Sequence, residues 1–316
     1  MSKIAFVFPG QGSQSVGMVG EFIAKDNASK EIMQQADDAL GFSLSKLMQE
    51  GPQEELTLTY HAQPALLTSG IIVAERLRRA GIEADYTAGH SLGEFAALVF
   101  AGAMKFEDAV VTVNKRGIFM DEAVPAGEGA MAAILNMDAE ALQVVCNDIS
   151  KEGHPVQLAN INCPGQIVIS GTAKGVALAS DLAKEVGAKR AIPLVVSGPF
   201  HSSLMSPAGN KLAEQLATVQ LQHPVIPVVS NVTSELITNA DQIQAELVNQ
   251  VTSPVRWQQN VEKLLDLGVT TFIECGPGKV LAGLIKKINR DAKVLPVYDE
   301  QTFADAIDAL KGVEQE

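Results

Sequence analysis

The sequence predicts an α/β protein: a mainly parallel sheet in a large domain, with a small ferredoxin-like subdomain inserted into it. Three observations carry this. Apolar strand-like runs alternate with helical patterns along the chain, the order that builds parallel sheets. The stretch from 128 to 196 keeps a rhythm of its own, βαββαβ, which is that of a ferredoxin-like unit. Between them, Gly89-His90-Ser91-Leu92-Gly93 follows an extended run and opens an apolar helical stretch, the strand–turn–helix setting in which G-x-S-x-G exposes a serine.

Residues 3–8 read as a buried strand, followed by the turn Pro9-Gly10-Gln11-Gly12. Ala62, Leu66, Ser69, Val73 and Leu77 recur at helical spacing and mark a long helix ending near Gly81. Residues 85–88 are extended, 94–103 helical, and a further helix covers about 106–123. Pro125-Ala126-Gly127-Glu128-Gly129 has the composition of a boundary. Within 128–196 the pattern predicts a strand at 130–135, a helix at 139–150 and strands at 155–161 and 166–170 around the turn Asn162-Cys163-Pro164-Gly165. A helix at 173–186 and a strand at 190–196 complete the unit. The large domain, 1–127 and 197–316, resumes at Ser197, with strands at 225–231, 270–274 and 294–298 and helices between.

Composition bounds the function. With 316 residues, 47% apolar and 19% charged, the chain can bury a sizeable core. No apolar run approaches a membrane span, and Met1-Ser2-Lys3-Ile4 passes straight into a strand-like run, so no signal peptide is expected. Three cysteines without C-x-x-C spacing fit a reducing compartment, the cytoplasm. A net charge of −13 argues against nucleic acid, whose phosphates need clustered cations. An acidic partner would need a local basic patch. Lys286, Lys287 and Arg290 on one predicted helix are one candidate and Lys189-Arg190 a second, each also readable as solvated surface. A monomer is expected.

Ser91 on its turn, above a helix N-terminus with unpaired N–H groups, is the candidate nucleophile. A serine needs an adjacent base. Of five histidines, His90 adjoins the serine, but neighbours on a tight turn point apart. His201, in the loop Ser197-Gly198-Pro199-Phe200-His201-Ser202, is the candidate base, with helix capping as its plain alternative. No Asp or Glu stands in a motif that would orient it. Gly10-Gln11-Gly12 lacks the third glycine of a dinucleotide fingerprint, position 15 being Ser15. No His/Cys/carboxylate cluster has metal-ligand spacing, so neither cofactor nor metal is expected. Arg116 could hold a substrate carboxylate through two parallel hydrogen bonds, or lie at the surface beside Lys115.

Taken together, Phe8-Pro9-Gly10-Gln11-Gly12-Ser13-Gln14, Gly89-His90-Ser91-Leu92-Gly93, Arg116, Pro199-Phe200-His201-Ser202, Gln250 with Pro254-Val255-Arg256-Trp257, and Glu274-Cys275-Gly276-Pro277-Gly278 resemble the malonyl-CoA:acyl-carrier-protein transacylases of fatty acid and polyketide synthesis. The resemblance covers essentially the whole chain, in order. It implies an α/β-hydrolase-like large domain with a ferredoxin-like insertion. It implies that Ser91 is acylated, that His201 moves the proton, and that the Gln250 backbone carbonyl orients His201. It also implies an oxyanion hole at the amides of Gln11 and Leu92, and Arg116 on the malonyl carboxylate. Phe200 matches a position where an aromatic accompanies malonyl selection; Gln63 and Asn162 resemble pocket positions, each equally readable as a turn or capping residue. The partners implied are malonyl-CoA and acyl carrier protein. A free-standing polyketide synthase acyltransferase, a serine thioesterase or hydrolase, and a catalytically silent carrier-binding module are the alternatives.

Overall fold

The computed structural model describes residues 3–311; Met1, Ser2 and residues 312–316, the two ends of the expected large domain, lie outside the described residues. Among the described residues ten strands form two sheets. Strands β1 (Lys3–Phe8), β2 (Tyr86–Gly89), β7 (Val228–Val229), β8 (Leu236–Ile237), β9 (Val269–Cys275) and β10 (Lys293–Val297) make the larger, in the order β10-β9-β1-β2-β7-β8. All its pairs are parallel except β7 with β8. β1 lies inside, and its Ala5 to Phe8 are buried on both faces, as a parallel strand covered by helices requires. Phe6 and Phe8 pack on one face with Phe100, while Ala5 and Val7 pack on the other with Trp257.

The smaller sheet holds β3 (Gly129–Leu135), β4 (Val156–Cys163), β5 (Gln166–Thr172) and β6 (Arg190–Pro193), ordered β4-β5-β3-β6 and wholly antiparallel. With helices Ala139–Lys151 and Ala173–Glu185 it forms the ferredoxin-like unit, whose apolar core is separate from that of the large sheet. β4 makes the backbone hydrogen-bonded contact between the two, while Met131 of β3 and Val168 of β5 pack into the large core. Ile161 donates its N–H to the Val255 carbonyl, Val255 donates to Ala159, and Cys163 packs among Ala88, Val229 and Trp257.

Helix Thr59–Arg79 runs through the core with Pro64 inside it. Proline has no N–H for the Tyr60 carbonyl one turn back, and Asn114 Nδ2 donates to that oxygen at 2.7 Å instead. Asn114 lies on helix Phe106–Glu122, two residues before Arg116. The two helices approach so closely at Gly117 that a Cβ there would fall 2.5 Å from the Tyr60 Cα. That contact carries Arg116 into the interior.

Several boundaries differ from the pattern. The strand expected at 225–231 reduces to Val228–Val229, because Pro224 and Pro227 cannot donate to a ladder. The strand expected at 190–196 ends at Pro193, and the apolar residues after it are partly to fully exposed. Asn162 and Cys163 belong to β4, leaving Pro164-Gly165 as the turn. Helix Val280–Ile288 carries Lys286 and Lys287 but ends before Arg290. Four helices between β1 and residue 58 (Gly20–Lys25, Asn27–Leu40, Leu44–Glu50 and Gln53–Thr57) have no counterpart in the sequence reading. Among the described residues no helix is long and apolar enough to cross a membrane.

Candidate active site

Ser91 sits between β2 and helix Leu92–Phe100 with φ 52° and ψ −107°, a conformation unusual for a residue with a side chain. Its surroundings impose this. A Cβ on Gly89 would overlap the Gly93 backbone, and one on Gly93 would overlap the Phe8 carbonyl, so strand end, turn and helix meet with no room between. Asn231 clasps the turn from both sides: its Oδ1 accepts the Ser91 N–H and its Nδ2 donates to the Gly89 carbonyl, each at 2.7 Å.

His201 stands opposite. Its Nε2 lies 2.8 Å from Ser91 Oγ, and its Nδ1 lies 2.8 Å from the Gln250 carbonyl. A carbonyl only accepts, so Nδ1 carries the proton and Nε2 is the acceptor for the serine hydroxyl. Burial, and then the nearby Arg116 charge, push the His201 pKa down to about 3, so the imidazole is neutral at pH 7. The orienting group is a backbone atom, which is why no acidic residue could be found for it in the sequence.

Arg116 is 1% exposed. Nη1 donates to Gln63 Oε1 at 2.8 Å, and Nη2 donates to Gln250 Oε1 at 2.9 Å and to Ser91 Oγ at 3.1 Å. These partners are neutral, the buried Nε has none among the described residues, and no carboxylate makes an ion pair with this guanidinium there. Burial lowers its pKa to about 10, so it remains a cation. Phe95 lies beneath it, the guanidinium carbon 5.6 Å from the ring centre.

Ser91, His201 and Arg116 open on a cavity of about 220 Å³ between the two sheets. Gln11 and Leu92 also line it, and neither backbone N–H has a hydrogen-bond partner among the described residues. Phe200 forms part of the wall, with Leu194, Val195 and Val196 at the edge. Two sequence candidates are placed differently from expectation. Gln63 lies behind Arg116 and does not line the cavity; it meets the site through Arg116 and through Met120, whose sulfur its Nε2 approaches at 3.8 Å. Asn162 does not line the cavity: its Oδ1 is 2.9 Å from His90 Nε2, because the end of β4 packs on the turn at His90. Asn160, two residues earlier, faces the cavity instead. His90 points away from the nucleophile, as neighbours on this turn should. Lys287 Nζ donates to Gln166 Oε1 and Lys286 Nζ to the Arg290 carbonyl, beside the β4–β5 hairpin. Asn231 and Glu94 belong to the site but were not read from sequence; neither stands in a motif that assigns a contact. Among the described residues no group of three or more His, Cys, Asp or Glu side chains could hold a metal ion.

A serine hydroxyl on a neutral histidine, two open amides and a buried cation form an arrangement able to carry out acyl transfer. Comparisons with known proteins identify the family. The family model described as acyl transferase domain matches residues 5–308. The malonyl CoA-acyl carrier protein transacylase of Bacillus subtilis is 60% identical over 311 residues, 98% of each chain. The solved malonyl CoA-acyl carrier protein transacylase of Clostridium perfringens superposes with a TM-score of 0.96 at 40% identity, covering 99% of this chain and 98% of that one. A malonyl-transacylase solved in complex with its type II PKS acyl-carrier protein gives 0.94 at 41% identity, over 98% and 100%. This chain belongs to the acyl transferase domain family.

Proposed function

We propose that the protein moves a malonyl group from malonyl-CoA to the phosphopantetheine thiol of acyl carrier protein through a malonyl ester on Ser91, supplying fatty acid biosynthesis. The observation that carries this is Arg116, a buried cation with only neutral partners, 3.1 Å from the nucleophilic oxygen. A buried charge of this kind calls for a counter-ion. A half-thioester with a free carboxylate supplies one, whereas an acetyl group would leave the guanidinium as it is.

The chemistry follows from the atoms in place. Arg116 receives the malonyl carboxylate, and Ser91 Oγ attacks the thioester carbonyl while its proton passes to His201 Nε2. The oxyanion forms against the Gln11 and Leu92 amides, at the positive end of helix Leu92–Phe100. Collapse breaks the C–S bond, and His201 returns the proton to the CoA thiolate. A carrier thiol then attacks the ester, its proton travelling through His201 back to Ser91 Oγ. The carboxylate also neutralises the charge that depresses His201, so pairing at Arg116 strengthens the base when the correct donor is bound. Phe200 narrows the wall against an α-branch.

Lys286, Lys287 and Arg290, with Lys189 and Arg190 as the second patch, would receive the acidic carrier. We take 128–196 as the inserted subdomain, the protein as a cytoplasmic monomer, and a type II PKS carrier as the second candidate acceptor, since one similar enzyme is solved with such a carrier.

Intact-protein mass after brief mixing with malonyl-CoA, beside acetyl-CoA, tests the proposal on wild type and Ser91→Ala. A malonyl adduct on wild type alone, with little from acetyl-CoA, is expected. Accumulating free malonate without an adduct would make the protein a hydrolase; no adduct and no turnover would make it a binding module.

A further inference from the structure

We propose that Glu94 is a positioning residue of this site: its carboxyl decides which way the Gln250 side-chain amide faces, and so holds Arg116 ready for an acyl carboxylate. The inference rests on the malonyl-transfer reading above. Glu94 is fully buried in the first turn of helix Leu92–Phe100, yet it does not cap that helix. Its Oε2 accepts from Gln250 Nε2 at 2.6 Å, and its Oε1 has no partner among the described residues. The same Gln250 nitrogen donates to the Ser91 carbonyl at 2.9 Å, while Gln250 Oε1 accepts from Arg116 Nη2 at 2.9 Å.

An amide has one donating and one accepting end, so only one of its two orientations satisfies this set. Turned over, Gln250 would set its NH₂ group against the guanidinium and its oxygen against three others, those of Glu94, the Ser91 carbonyl and Asn231 Oδ1. Glu94 supplies the shortest of these contacts, 2.6 Å, against 2.9 Å to Ser91 and 3.4 Å to Asn231. Gln250 also works as a spacer. It keeps Glu94, the acid hydrogen-bonded to this network among the described residues, out of direct contact with Arg116, so the cation is held by an oxygen and not neutralised by a carboxylate. Burial pushes the Glu94 carboxyl up to about 8 and favours its uncharged form; with the proton on the unpartnered Oε1, Oε2 remains the acceptor for Gln250. Gln250 thereby has two separable tasks. Its backbone carbonyl orients His201, and its side chain, set by Glu94, orients Arg116.

The test compares acylation rates from malonyl-CoA and acetyl-CoA, by intact mass, for the full-length Glu94→Met, Glu94→Gln and Gln250→Leu variants. Glu94→Met frees the Gln250 amide to turn from Arg116, and the malonyl preference should fall about tenfold or more, the scale of the charge-assisted hydrogen bond from Arg116 to Gln250 that is then lost. Glu94→Gln keeps an oxygen for the Gln250 amide and should stay within about threefold of wild type on the same scale. Gln250→Leu keeps the backbone carbonyl and should match Glu94→Met, with the double variant losing no further preference. A merely structural role would slow both donors by one factor and leave the preference unchanged, which would overturn the proposal. Should Glu94→Met fail to fold, an unchanged preference in Gln250→Leu would overturn it equally. A wild type that takes both acyl groups alike would overturn the malonyl reading itself, and this inference with it.

Discussion

Two corners of the large sheet are built alike and used differently. β2 and β9 flank β1 on either side, each ends in a glycine-rich turn, and each turn opens a helix of nine residues. At the first corner the helix N-terminus is left open: Ser91 occupies the strained position and the Leu92 N–H faces the cavity. At the second it is filled from within, since Glu274 Oε1 accepts the Leu281 N–H at 3.0 Å and Oε2 accepts the Ala282 N–H at 2.7 Å. A helix N-terminus attracts negative charge wherever it lies. Whether that attraction serves chemistry or architecture depends on whether the chain supplies its own carboxyl. The turns follow the same logic: Ser91 takes φ 52° despite its side chain, whereas the second corner gives its positive φ values to Gly276 and Gly278.

The largest effect should come from loosening the open corner. Asn231→Ala removes both hydrogen bonds that clasp the turn, and acylation by malonyl-CoA should fall about 100-fold, the usual consequence of displacing a reacting atom by an ångström. An unchanged rate would mean that glycine packing alone holds Ser91. A smaller effect should follow on the helix of the filled corner, which carries Lys286 and Lys287. Lys286→Glu with Lys287→Glu should slow transfer to carrier protein about tenfold at low salt while leaving loading from malonyl-CoA unchanged. Equal transfer rates would remove docking from this corner.

The smallest effect on chemistry should come from the filled corner's own carboxyl. Glu274→Leu leaves two N–H groups without their acceptor, lowering the melting temperature by several degrees, about 1–3 kcal/mol of lost hydrogen bonding, with acylation rates kept. The loss should depend on pH. Burial raises the Glu274 pKa from 4.5 to about 7, so its contribution is fully present below the unfolded value and declines as pH rises through the folded one. The wild-type advantage over Glu274→Leu should therefore narrow between pH 4.5 and pH 7; a widening gap would show that the charged form is the better cap.

The sequence was most informative where chemistry and local geometry coincide. The turn around Ser91 declares itself because its glycines are needed by its own neighbours, and the βαββαβ rhythm survives because every element repeats an apolar period. His201 and Arg116 were legible as residue types suited to the chemistry, but their convergence was visible only through the resemblance. What escaped has a common cause. Asn231 and Glu94 reach the site across 140 and 156 residues, to Ser91 and Gln250 respectively, and no local pattern encodes such a meeting. The His201 partner is a carbonyl, which every residue possesses. Asn160 and Asn162 were indistinguishable without the irregular register of β4, which shifts between Leu158 and Asn160. Three of the early helices have only five to seven residues, too few for a helical period to show; Asn27–Leu40, with 14, escaped although its length is ordinary.

β4 binds the base as well as the subdomain. Gln157 Nε2 donates to the carbonyls of both His201 and Thr252, Gln157 Oε1 accepts the Ser203 N–H, and Val255 is laced to the same strand. The loop from Thr252 to Val255 lies just past Gln250, whose carbonyl holds the imidazole. Small subdomain, histidine and histidine holder are thus tied to one another, and the Gln250 side chain and the Asn162–His90 contact tie the same group to the turn of Ser91. A displacement of β4 would therefore reach the spacing of Ser91 and His201, on which attack by water depends as much as attack by a thiol.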